Sequence, residues 1–198
     1  MVPRSDVSAQ RRTEILDAAM VRFLREGYTN TTMDDVVAEC GLSKGTIYWY
    51  FEGKDDLFNS VVARFFGDFA QETMTSLAGC ETAAEQFRCG GRALARFCQQ
   101  AEGLFGLFLE YWSQSGRRRE ASQVWVGMLQ QYAGLIAGLV EEGERQGEFK
   151  PVDGQSLAWA ILAAYDGLAV YAMMKPDLDL GQVSETFIET LLRGLRVG

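Results

Sequence analysis

The 198-residue chain contains no histidine. That removes at once the commonest general base and the commonest imidazole metal ligand. No two cysteines stand as CxxC, no glycine-rich stretch has the form of a phosphate loop, and no nucleophile motif occurs. The expectation is a chain with no catalytic residue, no metal and no cofactor. A paired-carboxylate hydrolase built on Glu110 and Asp166 finds no support in their spacing. The four cysteines do not imply disulfides. Cys80, Cys89 and Cys98 follow at intervals of nine residues. On one helix such neighbours face opposite sides, with the outer two roughly 27 Å apart. Reduced, buried thiols in a cytoplasmic protein are the expectation. No secretory signal precedes the first helix, since residues 1–8 are short, polar and proline-bearing. Repeats, low-complexity segments and strand-like alternation are also absent.

Positive charge is scarce. The net charge is −8 with an isoelectric point near 4.7. Residues 1–60 alone hold seven Lys and Arg against ten Asp and Glu. Non-specific attraction to nucleic acid should therefore be weak. Asp34, Asp35, Asp55 and Asp56 nevertheless fall at helix starts, where the positive end of the dipole accounts for them.

Against these absences stands the stretch Asn30 to Leu57, NTTMDDVVAECGLSKGTIYWYFEGKDDL. Thr32 can cap a helix whose first turn carries Asp34 and Asp35, and Val36, Val37 and Cys40 give it an apolar face. Gly41 suits the left-handed residue that ends it. Ser43 caps a second short helix, Lys44 to Tyr50, with Ile47 inward. This spacing predicts a helix-turn-helix that exposes Lys44-Gly45-Thr46-Ile47-Tyr48. The free N–H groups at that helix start attract phosphate or base acceptors, and Gly45 lets a backbone approach closely. Lys44 and Thr46 can donate to base edges or phosphates, while Tyr48 and Tyr50 reach toward the sugar-phosphate rim. Lys54 opens the next helix, where the dipole disfavours a cation; a docked phosphate would explain it.

The segment from Arg11 to Leu57 resembles the DNA-binding domain of the TetR family of bacterial transcriptional repressors. The resemblance rests on Ile15, Ala18-Ala19, Phe23, Gly27-Tyr28, Thr31-Thr32, Gly41-Leu42-Ser43, Gly45-Thr46-Ile47-Tyr48, Tyr50-Phe51, Lys54 and Leu57. It implies DNA contacts at Thr32, Ser43, Lys44, Gly45, Thr46, Tyr48, Tyr50 and Lys54. One departure is Val37, where the family usually has alanine; its extra methyls should push the two helices slightly apart. Arg11 or Arg12 could touch phosphate, or simply be solvated.

Apolar residues make up 47% of the chain, enough for a substantial core. Helical periodicity predicts a first helix over 8–25 and later ones over 55–78, 82–99, 102–114, 118–146, 153–174 and 181–196. Gly27, Gly79, Gly116, Gly147, Pro151 and Lys175-Pro176 punctuate them. The expected fold is all-α: a three-helix DNA-binding domain over 1–54 and a helical effector-binding and dimerisation domain over 55–198. The helix opening at Asp55 would link the two. The run Gly116-Arg117-Arg118-Arg119 reads as a solvated loop. Leu157 to Met174 is nearly continuously apolar, but a central Asp166 would cost about 2.5–3.5 kcal/mol in a bilayer, so no membrane partner is expected. Ala160, Ala163, Ala164 and Gly167, with Phe187, Leu191, Leu192 and Leu195, form a candidate homodimer face; the resemblance implies dimerisation through the last two helices.

Phe105, Phe108, Tyr111, Trp112, Trp125, Met128 and Tyr132 crowd the middle helices, and such aromatics usually form core. The resemblance implies instead an inducer cavity among these helices. Phe105, Phe108, Tyr111, Trp112, Trp125 and Met128 would line it, with Glu110 and Asp166 as possible polar anchors. For each of those acids the favoured reading is a structural role, as a surface charge or a hydrogen-bonded buried acid. The function expected is a repressor released from a palindromic operator by a small apolar or cationic effector. The alternative is a DNA-binding architectural or adaptor protein with no effector.

Overall fold

The computed structural model describes residues 4–100, 102–115 and 119–197, without the side chains of 4–6, 102, 108, 114–115 and 119–125. Gly116 to Arg118, and the side chains of Arg119, Phe108 and Trp125, thus lie outside the described residues. Among those described, nine helices follow in order: α1 Arg4–Asn30, α2 Met33–Cys40, α3 Lys44–Tyr50, α4 Lys54–Leu77, α5 Ala83–Gln100, α6 Glu102–Ser115, α7 Arg119–Arg145, α8 Gly154–Met174 and α9 Leu180–Leu195. Extended pairing among them is limited to one isolated bridge between Phe149 and Arg196. The all-α expectation is met.

The chain divides into two compact units. The first takes α1 to α3, α4 as far as Asp68, and α6 from Gly106; the second takes α4 from Phe69, α5, and α7 to α9. This differs from a cut after Lys54, for a physical reason. Leu57, Phe58 and Val61 on α4 are buried, and the Phe58 ring meets Phe23 at 5.1 Å and Tyr111 of α6 at 4.5 Å between centroids. The first turns of α4, and α6 with them, complete the core that α1, α2 and α3 begin.

In the first unit the turn between α1 and α2 is held by two charges of opposite sign. Gly27 has φ 81° and ψ 166°, a conformation open essentially to glycine, and it breaks the helix run. The Glu110 carboxylate accepts from the N–H groups of Tyr28 at 3.0 Å and Thr29 at 2.9 Å, and from the Thr29 hydroxyl. The Lys54 ammonium donates to the carbonyls of Tyr28, Thr29 and Thr31 at 2.9, 3.2 and 3.0 Å. Thr31, fully buried, donates its hydroxyl to the Gly27 carbonyl at 2.7 Å. Arg22 reaches across from α1 to Asp35 at 3.2 Å and Glu39 at 3.6 Å on α2.

In the second unit α5 packs on α9 and α8, and α7 packs on α8. Gly91 permits the α5–α9 contact: a Cβ there would stand 2.5 Å from Ile188 Cγ1. Its carbonyl accepts from the Ser184 hydroxyl at 2.9 Å, with the Tyr165 hydroxyl also in reach at 3.3 Å. The Glu148 carboxylate accepts from Ala83 and Ala84 N–H groups at the start of α5, at 3.0 and 3.2 Å, where the helix dipole favours an anion. By length and apolarity α8 could cross a membrane. Here Ala158, Ile161, Leu162, Tyr165 and Ala169 are its buried face, as on a core helix, while Ala160, Ala163, Tyr171 and Met174 face solvent.

Burial opposes the charge on Glu110, but the hydrogen bonds from Thr29 and Tyr28 outweigh it and hold the carboxyl below its ordinary 4.5. A lowered folded pKa gives stability that is complete above the ordinary carboxylate range and is lost as pH falls through the folded value. Glu110→Ala should cost about 1–3 kcal/mol at neutral pH, because two N–H groups lose their acceptor. In urea unfolding the gap between wild type and variant should narrow below about pH 4. A gap that stays constant on acidification would show that the carboxylate charge is not what holds the turn.

Candidate nucleic-acid interface and ligand cavity

The helix-turn-helix forms for the local reasons its sequence suggests. Thr32 and Asp35 make a reciprocal capping box: the Thr32 hydroxyl accepts from Asp35 N–H at 3.2 Å, and the Asp35 carboxylate accepts from Thr32 N–H at 2.8 Å. Gly41 ends α2 with φ 65°, its N–H bonded to the Val37 carbonyl at 3.1 Å. Ser43 caps α3 by accepting from Thr46 N–H at 3.1 Å. Ile47 is fully buried, which turns the opposite side of α3 outward.

That outward side holds Ser43, Lys44, Gly45, Tyr48 and Trp49, with Thr46 and Tyr50 half-buried. Trp49, 74% exposed, joins this face in addition to the residues expected from the sequence. Its place two residues from the inward Ile47 was the available signal. Thr46 shares a hydrogen bond with Ser43 at 2.7 Å, and the Tyr50 hydroxyl lies 3.2 Å from the Ser8 hydroxyl. Lys44 pairs with Asp34 at 2.6 Å, and that hydrogen bond raises the Lys44 pKa. Val37 is half-buried. Arg11 pairs with Glu14 at 2.8 Å, and Arg12 donates to Ser60 at 3.2 Å and lies over the Phe51 ring.

Lys54 has an internal role. An external phosphate is not required to explain a cation at the start of α4, because the ammonium serves the carboxyl end of a different helix. Its three protons match three carbonyls at the end of α1, where a cation is favoured.

The second unit contains a cavity of about 310 Å³. Phe69, Met74 and Leu77 of α4, Leu94 of α5, and Leu135 and Leu139 of α7 are among its apolar lining. Thr73, Gln86 and Tyr132 supply its polar groups. Burial pushes the Tyr132 hydroxyl up to about 12, so it remains a neutral phenol. The Thr73 hydroxyl is buried with no hydrogen-bond partner among the described residues.

Of the residues expected from the sequence to hold a ligand, the described ones (Phe105, Tyr111, Trp112, Met128 and Asp166) are not among those described as lining this cavity. Tyr111 belongs to the aromatic core of the first unit, Phe105 packs on the core of the second, Trp112 is 56% exposed, and Met128 is half-buried. Glu110 is engaged with the turn at Tyr28 and Thr29. Asp166 presents exposed surface on α8, burial raises the pKa of its carboxyl, and it is not among the residues described as lining the cavity. Aliphatic positions on α4, α5 and α7, which periodicity marks only as apolar, line the cavity instead. Among the described residues no group of three or more Cys, Asp or Glu is placed to hold a metal ion.

Two family models match the chain. Residues 15–61 match the bacterial regulatory proteins of the tetR family, and residues 91–195 match the C-terminal domain of BetI-type transcriptional repressors. The chain belongs to the TetR family. A regulator of Bacillus subtilis (strain 168), the uncharacterized HTH-type transcriptional regulator YfiR, is 27% identical over 196 residues, covering 93% of each chain. Among solved structures, a TetR transcription regulator from Haloarcula marismortui matches with TM-score 0.84 at 18% identity, over 96% of this chain and 100% of that one. FadR from Bacillus subtilis in complex with stearoyl-CoA matches with TM-score 0.75 at 23% identity, over 92% and 98%. The helix-turn-helix is thus that of a TetR-family transcriptional regulator.

Gly45 separates a DNA role from a structural one. A Cβ added there meets only the Ser43 hydroxyl, at 3.9 Å, so the fold has room for it. Gly45→Ala should keep or slightly raise the melting temperature, since glycine is about 1 kcal/mol poorer than alanine within helices. If DNA approaches this backbone, the same variant should bind operator at least tenfold more weakly in a gel-shift titration. Wild-type affinity in Gly45→Ala would take α3's N-terminal turn out of the interface.

Proposed function

We propose that this TetR-family regulator is a homodimeric repressor that leaves a pseudo-palindromic operator when a neutral, apolar small molecule fills the cavity of the second unit. The observation that carries this reading is that cavity, with its largely aliphatic walls and no acidic residue among the described residues of its lining. Apolar walls with a few convergent polar groups are the usual make-up of a small-molecule site. A cationic effector would find no counter-charge among those described residues. The Thr73 hydroxyl and the Gln86 amide offer one or two hydrogen bonds to a hydroxyl, carbonyl or carboxyl head. FadR, a TetR-fold relative, was crystallised with stearoyl-CoA. An acyl-like chain suits the present walls on their own chemistry.

In the proposed DNA complex, α3 enters the major groove. Lys44, Gly45, Thr46 and Tyr48 face the bases or their rim, Thr32, Ser43 and Tyr50 fall near phosphates, and Trp49 joins them as an added contact. Lys54 holds the turn before α2 and is left out of the contact set. Two α3 helices in a dimer call for half-sites about one helical turn or more apart. The proposed dimer face is the solvent-facing side of α8, where Ala160, Ala163 and Gly167 allow close approach, together with α9. The protein would act in the cytoplasm, where its operator lies.

The effector test uses Gly138, a cavity-lining glycine of α7 where an added Cβ meets nothing within 4 Å. A thermal-shift panel of neutral apolar compounds should stabilise the wild type, by about 2.7 kcal/mol at 100 times the dissociation constant. Hits should weaken operator binding roughly 5- to 150-fold. Gly138→Leu should lose both responses and keep ligand-free operator affinity. A variant that responds like wild type would place the effector elsewhere.

The dimer has its own test. Ala163 is exposed, so Ala163→Glu should fold normally. A charge in a close helix contact should nonetheless dissociate the dimer in sedimentation. An undisturbed dimer would move the interface off this face.

A further inference from the structure

Cys80 and Cys89 are not on opposite sides of one helix, as their nine-residue spacing suggests. Helix α5 begins only at Ala83, so Cys80 lies in the turn after α4 and its side chain folds back. The two sulfurs stand 2.8 Å apart, and both residues are half-exposed. A guanidinium N–H of Arg92, three residues on along α5, donates to the Cys89 sulfur at 3.2 Å. The other two thiols differ. Cys98 is buried and donates to the Tyr165 carbonyl at 3.6 Å, and Cys40 stands alone on α2.

We propose that Cys80 and Cys89 are a hydroperoxide-oxidised dithiol, with Cys89 as the attacking sulfur and Cys80 as the resolving one. An electropositive, partly exposed setting is where a cysteine acts as a nucleophile. Arg92 presents a donor to Cys89, either sulfur can donate in the hydrogen bond that the two thiols share, and the Cys80 S–H also reaches the Ser76 carbonyl at 3.5 Å. Cys80 keeps its proton: its hydrogen bond with Cys89, and then burial, push its pKa up to about 11. In the first step the Cys89 thiolate attacks the outer peroxide oxygen. The O–O bond breaks, an alcohol or water leaves with a proton from solvent, and Cys89 becomes a sulfenic acid, two electrons more oxidised. Cys80 then attacks that sulfur. The S–S bond forms, the S–O bond breaks, and hydroxide leaves as water with the Cys80 proton. The sum is two thiols and one hydroperoxide to one disulfide, one alcohol and one water. Small thiols reverse it by exchange.

Its consequence is a covalent strap across one end of the cavity. Leu77 and Ala78 precede Cys80 closely, and Gln86 and Gly90 flank Cys89; all four line that cavity. The bond would tie the end of α4 to α5 there. The chemistry itself stands whether or not the cavity takes an effector.

Full-length reduced protein, treated with a slight excess of hydrogen peroxide, alkylated and mapped by mass spectrometry, tests the pair. A Cys80–Cys89 disulfide should form within each chain and disappear with dithiothreitol, while Cys40 and Cys98 alkylate as free thiols. C80S should trap a sulfenic acid on Cys89, captured by a 1,3-dione probe. R92A should slow the reaction at Cys89 by tenfold or more with an unchanged melting temperature. Oxidation of Cys40 as fast as Cys89, absence of a Cys80–Cys89 link, or a C80S protein without the dione adduct would each overturn the proposal.

Discussion

The turn from Gly27 to Thr31 has two charged clamps, and the DNA-binding unit is arranged around them. At a helix end, carbonyls lack partners on one side, and the N–H groups of the following turn lack them on the other. Lys54 supplies three donors to the first set, and Glu110 supplies acceptors to the second. Because Lys54 begins α4 and Glu110 sits on α6, closing the turn requires both helices to be in place. The angle at which α2 leaves α1, and so the attitude of α3, is therefore set by residues outside the helix-turn-helix. Neither charge is free to be swapped for one of the opposite sign, since Lys offers only donors and the Glu carboxylate only acceptors.

Local features were legible in the sequence because their causes are local. Thr32, Gly41 and Ser43 announce the caps that they form, and Ile47 announces the buried side of α3. Helix ends came within a few residues because glycine and proline mark them. What was not legible depends on partners far along the chain. Glu110 meets residues more than 80 positions away, so its choice between surface charge and structural acid could not be made from spacing. Lys54 stands against the dipole of its own helix, and the partners that account for it belong to another. Cys80 and Cys89 were assigned opposing faces on the premise of a continuous helix, and the turn before Ala83 alters the phase.

The aromatic crowd divides, with Tyr132 lining the cavity and Tyr111 in the core of the first unit. Aromatic content predicts burial but does not distinguish packing from a wall around open space. Tyr111 went into a tight cluster with Tyr28 and Phe58. The cavity formed where aliphatic side chains of α4, α5 and α7 do not fully interdigitate. Periodicity records that those residues turn inward and is silent on whether they meet. An aliphatic wall with one unpartnered hydroxyl at Thr73 is costly if left so, since missing contacts and an unpaired buried polar group both destabilise. Stability elsewhere in the unit has to offset it.

The pairing of Lys44 with Asp34 carries an implication for an acidic DNA binder. On the proposed interface, a phosphate that engages Lys44 takes it from a carboxylate of the same protein. The DNA gives up a condensed cation, but the freed Asp34 acquires one from solution, so the net number of ions set free is smaller than the number of cationic contacts. Such a protein spends part of its attraction to DNA on itself. In exchange, its grip on the operator varies less with the ionic strength around it, and stray DNA, which offers only phosphates, gains little from the exchange.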